Sequence, residues 1–245
     1  MTNRNTEASP LFYSRATGLG LLLMAVLAMF SNFSVIEGLI VPGDAAATAN
    51  NIMTKEMLFR GGFIGFVIVL ILDVLVSWTL YVLLKPINKN LAMLAALFRL
   101  VYTAIFGAAL FNFLNVLQLL SGAEYLTAFT TDQLHAQVML LIGAFNNGWL
   151  IGLVLFGFHL LVVGYLIIKS RGYLPRIIGI FLVIAFAGYV IDSIAHFLLP
   201  GYTDYKTIFL LIVAIPGIIG ELSLAFWLLI KGVKVELTKS LFMRN

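Results

Sequence analysis

The chain has 245 residues, of which 62% are hydrophobic and 11% are charged, and its mean hydropathy is +1.06. A soluble domain carries roughly 45–50% apolar and about 25% charged residues, so this composition excludes a water-soluble protein. The absence of cysteine excludes disulfides, thiolate catalysis and Cys-ligated metals. The net charge of +4 is accompanied by no phosphate-binding or RNA-binding motif, so we expect no nucleic-acid partner.

Each of six apolar stretches reaches the roughly 20 residues that an α-helix needs to cross the hydrocarbon core of a bilayer. None shows the alternation of barrel strands, and only a helix satisfies every backbone group within one such segment. The predicted fold is therefore all-α, a polytopic transmembrane helical bundle that forms a single integral membrane domain over residues 1–245. The predicted spans are residues 16–40, 61–84, 91–114, 138–168, 177–199 and 207–230, of which the fourth is overlong.

The basic residues between these spans predict an orientation. Eleven Lys and Arg residues lie in the N-terminus, the second and fourth loops and the C-terminus, against three in the other loops. Because positive charge stays on the cytoplasmic side, both termini are predicted to be cytoplasmic, with the protein in the cytoplasmic (inner) membrane. In the first outer loop, residues 45–59 are predicted to form a surface helix on the outer leaflet.

Seven ionisable side chains fall within the predicted spans, where such groups rarely face lipid and often mark functional sites. Three of them form an outer group. Asp192 and His196 are four residues apart and share a helical face, and Glu37 lies near the outer end of the first span. This combination is typical of a metal site or a proton relay. The plainer alternative is a hydrogen-bonded pair in which Asp192 orients His196.

The deeper group comprises Asp73, Arg99, His159 and Glu221. Arg99 requires a carboxylate, which either Glu221 or Asp73 could supply. If the group is structural, one ion pair fixes the helix register. If it is functional, it lines a polar cavity in which the remaining acid binds a substrate or a proton.

Small residues surround this deeper group. Gly148, Gly152 and His159 share one face of the fourth span, a pattern that predicts close packing of another helix there. In the sixth span, Pro216 is predicted to bend or break the helix just before Glu221 and to free backbone carbonyls beside that acid.

A set of short motifs runs through most of the chain. They are Arg15-x-x-Gly18, Gly43-Asp44, Asn51-Ile52, Glu56-x-x-Phe59-Arg60, Tyr81-x-x-x-Lys85-Pro86, Phe98-Arg99, Gly157-Phe-His159, Gly164-Tyr165-Leu166, Gly172-x-x-Pro175-Arg176, Gly179 and Gly220-Glu221. In these motifs the chain resembles a bacterial family of six-span integral membrane proteins catalogued as domain of unknown function 4386. The resemblance implies the architecture given above and a shared polar core that includes Arg99, His159 and Glu221. It implies no activity, substrate or cofactor.

Three functional hypotheses follow. The first is binding or transport of a small molecule, ion or lipid through the polar core of Asp73, Arg99, His159 and Glu221. The second is an intramembrane metal-dependent hydrolase with an outer-leaflet site of Asp192, His196 and Glu37. The third is a subunit or scaffold of a larger membrane complex, with a protein partner or a second copy of the chain. The lipid bilayer is the one partner that all three require, and the sequence names no cofactor.

Overall fold

A computed structural model describes residues 9–170 and 172–233. These residues form helices joined by short connections and contain no strand, which confirms the all-α prediction. The helices are α1 (Pro10–Phe30), a π-helical segment (Ser31–Ile36), α2 (Glu37–Leu39), α3 (Ala45–Thr54), α4 (Glu56–Leu84), α5 (Lys89–Leu119), a 3-10 turn (Glu124–Ala128), α6 (Thr131–Lys169), α7 (Arg176–Leu198) and α8 (Tyr202–Ile230).

Six of these helical segments are long and apolar enough to cross a membrane, as predicted. The first combines α1, the π-helical segment and α2 over Pro10–Leu39, and the others are α4 to α8. The overlong fourth span is α6, whose 39 residues correspond to about 58 Å of helix against roughly 30 Å of hydrocarbon. This helix therefore extends well beyond the apolar layer even when it is tilted.

The connection before α4 contains the predicted surface helix, although it is shorter than expected. α3 covers Ala45–Thr54, and its first turn is capped by Asp44, whose side chain accepts a hydrogen bond from Ala47 N at 2.8 Å. The helix ends at Lys55, after which α4 begins at Glu56. An Asx N-cap satisfies one of the free N–H groups of a helix start, which explains why the helix begins immediately after Gly43-Asp44.

The chain divides into two compact units. Unit 1 contains the described residues of Met1–Leu22, Asp73–Val101 and Leu153–Asn245, and unit 2 consists of Leu23–Leu72 and Tyr102–Gly152. Because α1, α4, α5 and α6 each contribute to both, a unit is a group of helix segments and not a length of chain. The single integral membrane domain over residues 1–245 stays a prediction.

In unit 1, glycines bring the helix backbones into close contact. A Cβ at Gly164 of α6 would lie 2.6 Å from the carbonyl oxygen of Gly179 in α7, and a Cβ at Gly179 would lie 2.6 Å from that of Gly164. Between α1 and α8, a Cβ at Gly18 would be 2.6 Å from the carbonyl oxygen of Ala225. Membrane helices gain little from apolar burial against each other, so such close backbone packing holds these pairs together.

The helix α8 continues through Pro216, so the predicted break does not occur. Because proline has no N–H, the carbonyl of Ile212 loses its helical hydrogen-bond donor four residues later. That carbonyl lies against Gly188 of α7, where an added Cβ would be 2.7 Å from its oxygen. The carbonyl that the proline frees is thus packed against the neighbouring helix backbone.

In unit 2, α4, α5 and α6 meet in a cluster of aromatic rings. Phe66 contacts Phe106, Phe113, Phe145 and Trp149, with ring centroids 5.3–6.2 Å apart. The predicted close packing at Gly148 and Gly152 is present, because their Cβ positions would lie 2.7 Å from Ala109 and 3.1 Å from Tyr102 of α5.

The π-helical segment packs on the start of α4, also in unit 2. Ser31 donates a hydrogen bond through its hydroxyl to the carbonyl oxygen of Gly62 at 3.0 Å. A Cβ at Gly62 would collide with Val35, and one at Gly65 would lie 2.5 Å from Ser31 Oγ. Gly61 has open space around it. The small-residue contact on α4 is therefore made by Gly62 and Gly65.

We expect Gly164→Ala and Gly179→Ala each to destabilise the protein, because the new methyl group would meet a backbone atom that cannot move aside. Overpacking of this kind costs about 1–3 kcal/mol. The matched control is Gly143→Ala in α6, where nothing lies within 4 Å and alanine should stabilise the helix by about 0.5–1 kcal/mol. Thermal unfolding in mild detergent measures the difference. Equal midpoints for Gly164→Ala and Gly143→Ala would contradict the contact.

Candidate functional site

A buried ion pair joins α4 and α5 within unit 1. Arg99 contacts a single oxygen of Asp73, with Nε 2.8 Å and Nη2 2.7 Å from Oδ1. Asp73 has no exposed surface and Arg99 has 2%. The second carboxylate oxygen, Oδ2, is also buried and has no hydrogen-bond partner in the described residues. The pair thus departs from the usual bidentate arrangement, in which each carboxylate oxygen accepts one donor.

His159 of α6 holds the other side of the guanidinium. Its Nε2 lies 3.1 Å from Arg99 Nη1, and its Nδ1 lies 2.9 Å from the carbonyl oxygen of Ala95. Arginine only donates and a carbonyl only accepts, so Nε2 must accept and Nδ1 must carry the proton. This geometry therefore requires a neutral imidazole in one tautomer.

Phe156 connects this side of the site to α7. The Arg99 Cζ atom lies 5.4 Å from the centre of its ring, a cation–π distance, and the ring also stacks on His159 at 5.7 Å. The Phe156 ring also contacts the Tyr189 ring, with the two ring centres 5.5 Å apart and the two ring planes nearly perpendicular. Phe156 is thus an apolar spacer between the guanidinium and the tyrosine.

Tyr189 of α7 donates a hydrogen bond through its hydroxyl to Glu221 Oε1 of α8 at 3.0 Å. Both side chains are partly buried. A Cβ at Gly217, one turn before Glu221, would lie 3.4 Å from the Tyr189 hydroxyl and 3.6 Å from Glu221 Oε1. Glycine at this position keeps one side of the hydrogen bond free of a side chain.

We call Asp73, Arg99, His159, Tyr189 and Glu221 the polar cluster. Five helices, α4 to α8, each supply one of its members. Glu221 also lies within electrostatic range of both Arg99 and Asp73. Two carboxyl groups thus lie near one guanidinium and one neutral imidazole, in helix segments that are otherwise apolar.

All four residues of the predicted core belong to this cluster, and the open choice of partner for Arg99 is resolved in favour of Asp73. Sequence reasoning missed Tyr189 and Phe156, because a tyrosine or phenylalanine in an apolar span is usually an interfacial anchor or packing. One signal was available for Tyr189. It lies in the middle of its helix and not near an end, where anchoring tyrosines are found.

The predicted outer group has other partners. Asp192 Oδ1 accepts a hydrogen bond from the Tyr202 hydroxyl at 2.6 Å, and His196 packs edge-on against the Tyr202 ring at 4.7 Å. Glu37 is exposed and accepts a hydrogen bond from Asn32 at 3.4 Å. Across residues 9–170 and 172–233, no three His, Asp or Glu side chains lie close enough to hold a metal ion. Tyr202, and not His196, is thus the hydrogen-bond partner of Asp192 in the described residues, and the metal site stays a prediction.

The fold and this cluster describe a multi-pass α-helical membrane protein with ionisable groups in its spans. The chain belongs to the family described as domain of unknown function (DUF4386), whose model matches residues 16–232. It is also 36% identical over 173 residues to an uncharacterised protein of Archaeoglobus fulgidus, an alignment that covers 71% of this chain and 85% of the relative. No solved structure matches the chain.

We expect removal of either charge of the buried pair to destabilise the protein strongly. Asp73→Asn or Arg99→Gln leaves the other charge buried without its partner, which costs about 3–5 kcal/mol. The double variant Asp73→Asn/Arg99→Gln should be much closer to wild type, because two neutral amides can still form a hydrogen bond. Unfolding midpoints of the four proteins in the same detergent provide the double-mutant cycle.

The matched control is the exposed ion pair of Glu56 and Arg60, which has the same 2.7 Å contact but side chains about half exposed. Glu56→Gln should change stability by less than about 1 kcal/mol. A double variant as unstable as the sum of its two single variants would show that the two charges do not interact.

Proposed function

We propose that this protein is a membrane-embedded binding or transport protein for a small molecule, ion or lipid, and that the polar cluster is its binding site. We also propose that it lies in the cytoplasmic membrane with both termini in the cytoplasm. Six apolar helices and the distribution of Lys and Arg support this location and orientation.

The main support for the proposal is that Asp73 Oδ2 is buried and has no hydrogen-bond partner in the described residues. Nearly all buried polar atoms in folded proteins have a hydrogen-bond partner, and each exception calls for an explanation, of which a functional role is one. Here the atom belongs to a carboxylate within a membrane-spanning helix, where an ionised aspartate at the centre costs about 2.5–3.5 kcal/mol. The fold directs Nε and Nη2 of Arg99 to Oδ1 and so keeps Oδ2 available to a donor that residues 9–170 and 172–233 do not provide.

A ligand that suits this geometry presents an N–H or O–H group to Asp73 Oδ2. It would approach a guanidinium that is already held by Asp73 and His159, so the site is ordered before the ligand arrives. Preorganisation of this kind lowers the entropic cost of binding. An aromatic ring, Phe156, lies beside the guanidinium and could cover an apolar part of the same ligand.

Native mass spectrometry of the protein released from mild detergent tests binding directly. We expect wild type to carry a discrete extra mass and Asp73→Asn/Arg99→Gln to lose it. The control is Asp192→Asn, which removes a carboxylate from α7 whose partner is Tyr202 and which lies outside the polar cluster. Retention of the same mass by all three proteins, or a bare wild-type mass, would contradict binding at the cluster. A mass increase equal to a whole protein chain would favour the alternative of a complex subunit.

The orientation is tested by cysteine labelling, for which the chain is suited because it has no cysteine of its own. Asn88 and Thr127 are exposed residues in the second and third loops. We expect Thr127→Cys to react with a membrane-impermeant maleimide in intact cells and Asn88→Cys to react only after permeabilisation. The reverse pattern would place both termini outside.

A further inference from the structure

We infer that Glu221 of the polar cluster carries an exchangeable proton. In this arrangement Tyr189 is a positioning residue that holds the carboxyl group. This inference rests on the proposed function only in that it concerns the same polar cluster, and proton binding itself is independent of any ligand.

The charges in the polar cluster do not cancel. Asp73 and Arg99 neutralise each other through two contacts on one oxygen. His159 adds no charge, because its Nε2 accepts from Arg99 and its Nδ1 donates to Ala95. Glu221 is therefore the acid in excess, and an isolated charge in a membrane-spanning segment is costly.

Glu221 has polar and charged groups of neighbouring helices near its carboxyl group. Tyr189 of α7 donates a hydrogen bond, which stabilises a carboxylate but does not neutralise it. The guanidinium of Arg99 attracts the carboxylate, while the carboxylate of Asp73 repels it. From α1, the contacts with α8 are made by the Ser14 hydroxyl and the Gly18 backbone, and neither bears a charge.

The groups around Glu221 suit a proton better than a metal cation, because the two ions need different numbers of oxygen ligands. A hard metal cation requires about six oxygen ligands, whereas a proton requires one oxygen. Around Glu221 the described residues offer one carboxylate and one tyrosine hydroxyl, and they contain no group of three His, Asp or Glu side chains. The backbone carbonyl of Ile212, freed by Pro216, is packed against Gly188 and so is directed away from a ligand role.

The two acids of the polar cluster differ in burial. Asp73 is fully enclosed, whereas Glu221 and Tyr189 keep part of their surface exposed. Gly217 keeps one side of their hydrogen bond free of a side chain. Protonation of Glu221 leaves both contacts of Arg99 with Asp73 Oδ1 in place, so it does not require the Asp73–Arg99 pair to separate.

The reaction is a simple proton equilibrium. In the ionised form, Oε1 of Glu221 accepts the hydrogen bond of Tyr189. A proton from water adds to Oε2 to give the neutral carboxylic acid, and the tyrosine continues to donate to Oε1. Release reverses these steps, and no bond other than O–H forms or breaks.

Infrared spectroscopy of the protein in bilayers across a pH series tests the inference, because a protonated carboxyl group gives a carbonyl band separate from that of a carboxylate. The chain has 11 Asp and Glu residues, so we expect one titrating band, distinct from those of the exposed acids, that appears as the pH falls, is absent from Glu221→Gln and is retained in Asp192→Asn. In Tyr189→Phe the band should appear at a pH different from that of wild type, since the carboxylate loses its hydrogen-bond donor.

The outcomes separate this inference from the proposed function. A titrating band that Glu221→Gln leaves unchanged, or no titrating band in wild type, would overturn the proton site even if a bound ligand is found. A tyrosine with only a structural role would leave the pH of the band unchanged in Tyr189→Phe and would overturn its positioning role. A band that behaves as expected in a protein that binds nothing would support the proton site and contradict the proposed function.

Discussion

The ion pair between Asp73 and Arg99 is the constraint on which the rest of unit 1 depends. In water such a pair contributes little, because solvent screens it. In a membrane-spanning segment each charge is costly alone, so the two helices that carry them must keep a register in which Nε and Nη2 meet Oδ1. The positions of His159 and Phe156 follow, because one binds the remaining edge of the guanidinium and the other covers its face.

The helices α7 and α8 are joined by two hydrogen bonds of the same chemistry but opposite direction. Tyr189 of α7 donates to Glu221 of α8, and Tyr202 of α8 donates to Asp192 of α7. The backbone contact of Gly188 with the carbonyl of Ile212 adds a third point of attachment. Glu221 is therefore held on a fixed pair of helices, which restricts where its carboxyl group can move and explains why one hydroxyl is enough to orient it.

The sequence was most informative where a single physical rule dominates. Hydrophobic length alone predicted six spans, and the cost of a charge in hydrocarbon identified Asp73, Arg99, His159 and Glu221 as one group. It could not choose between Asp73 and Glu221 for Arg99, because that choice depends on which helices are neighbours. It also missed Tyr189, since a hydroxyl costs little free energy in an apolar helix and therefore does not mark a functional residue.

For the outer group, the spacing of residues along one helix did not reveal the hydrogen-bond partner. The spacing of Asp192 and His196 places them on one helical face, which suggested that they act together. A tyrosine at the start of the next helix supplies the partner instead, and nothing in the spacing along one helix could indicate it. At Pro216 the predicted alternatives were a bend or a break, and the break does not occur, because a helix that loses one hydrogen bond can continue when a glycine on its neighbour packs against the free carbonyl.

The order of the cluster along the chain has a consequence for biosynthesis. Asp73 and Arg99 lie on consecutive helices, so this hairpin can enter the bilayer with its two charges already neutralised. Gly164 and Gly179 likewise pair consecutive helices, and contacts close in sequence form early. Glu221 arrives last, on α8. In a nascent chain the Asp73–Arg99 pair would thus form before the second acid of the polar cluster, Glu221, enters the membrane.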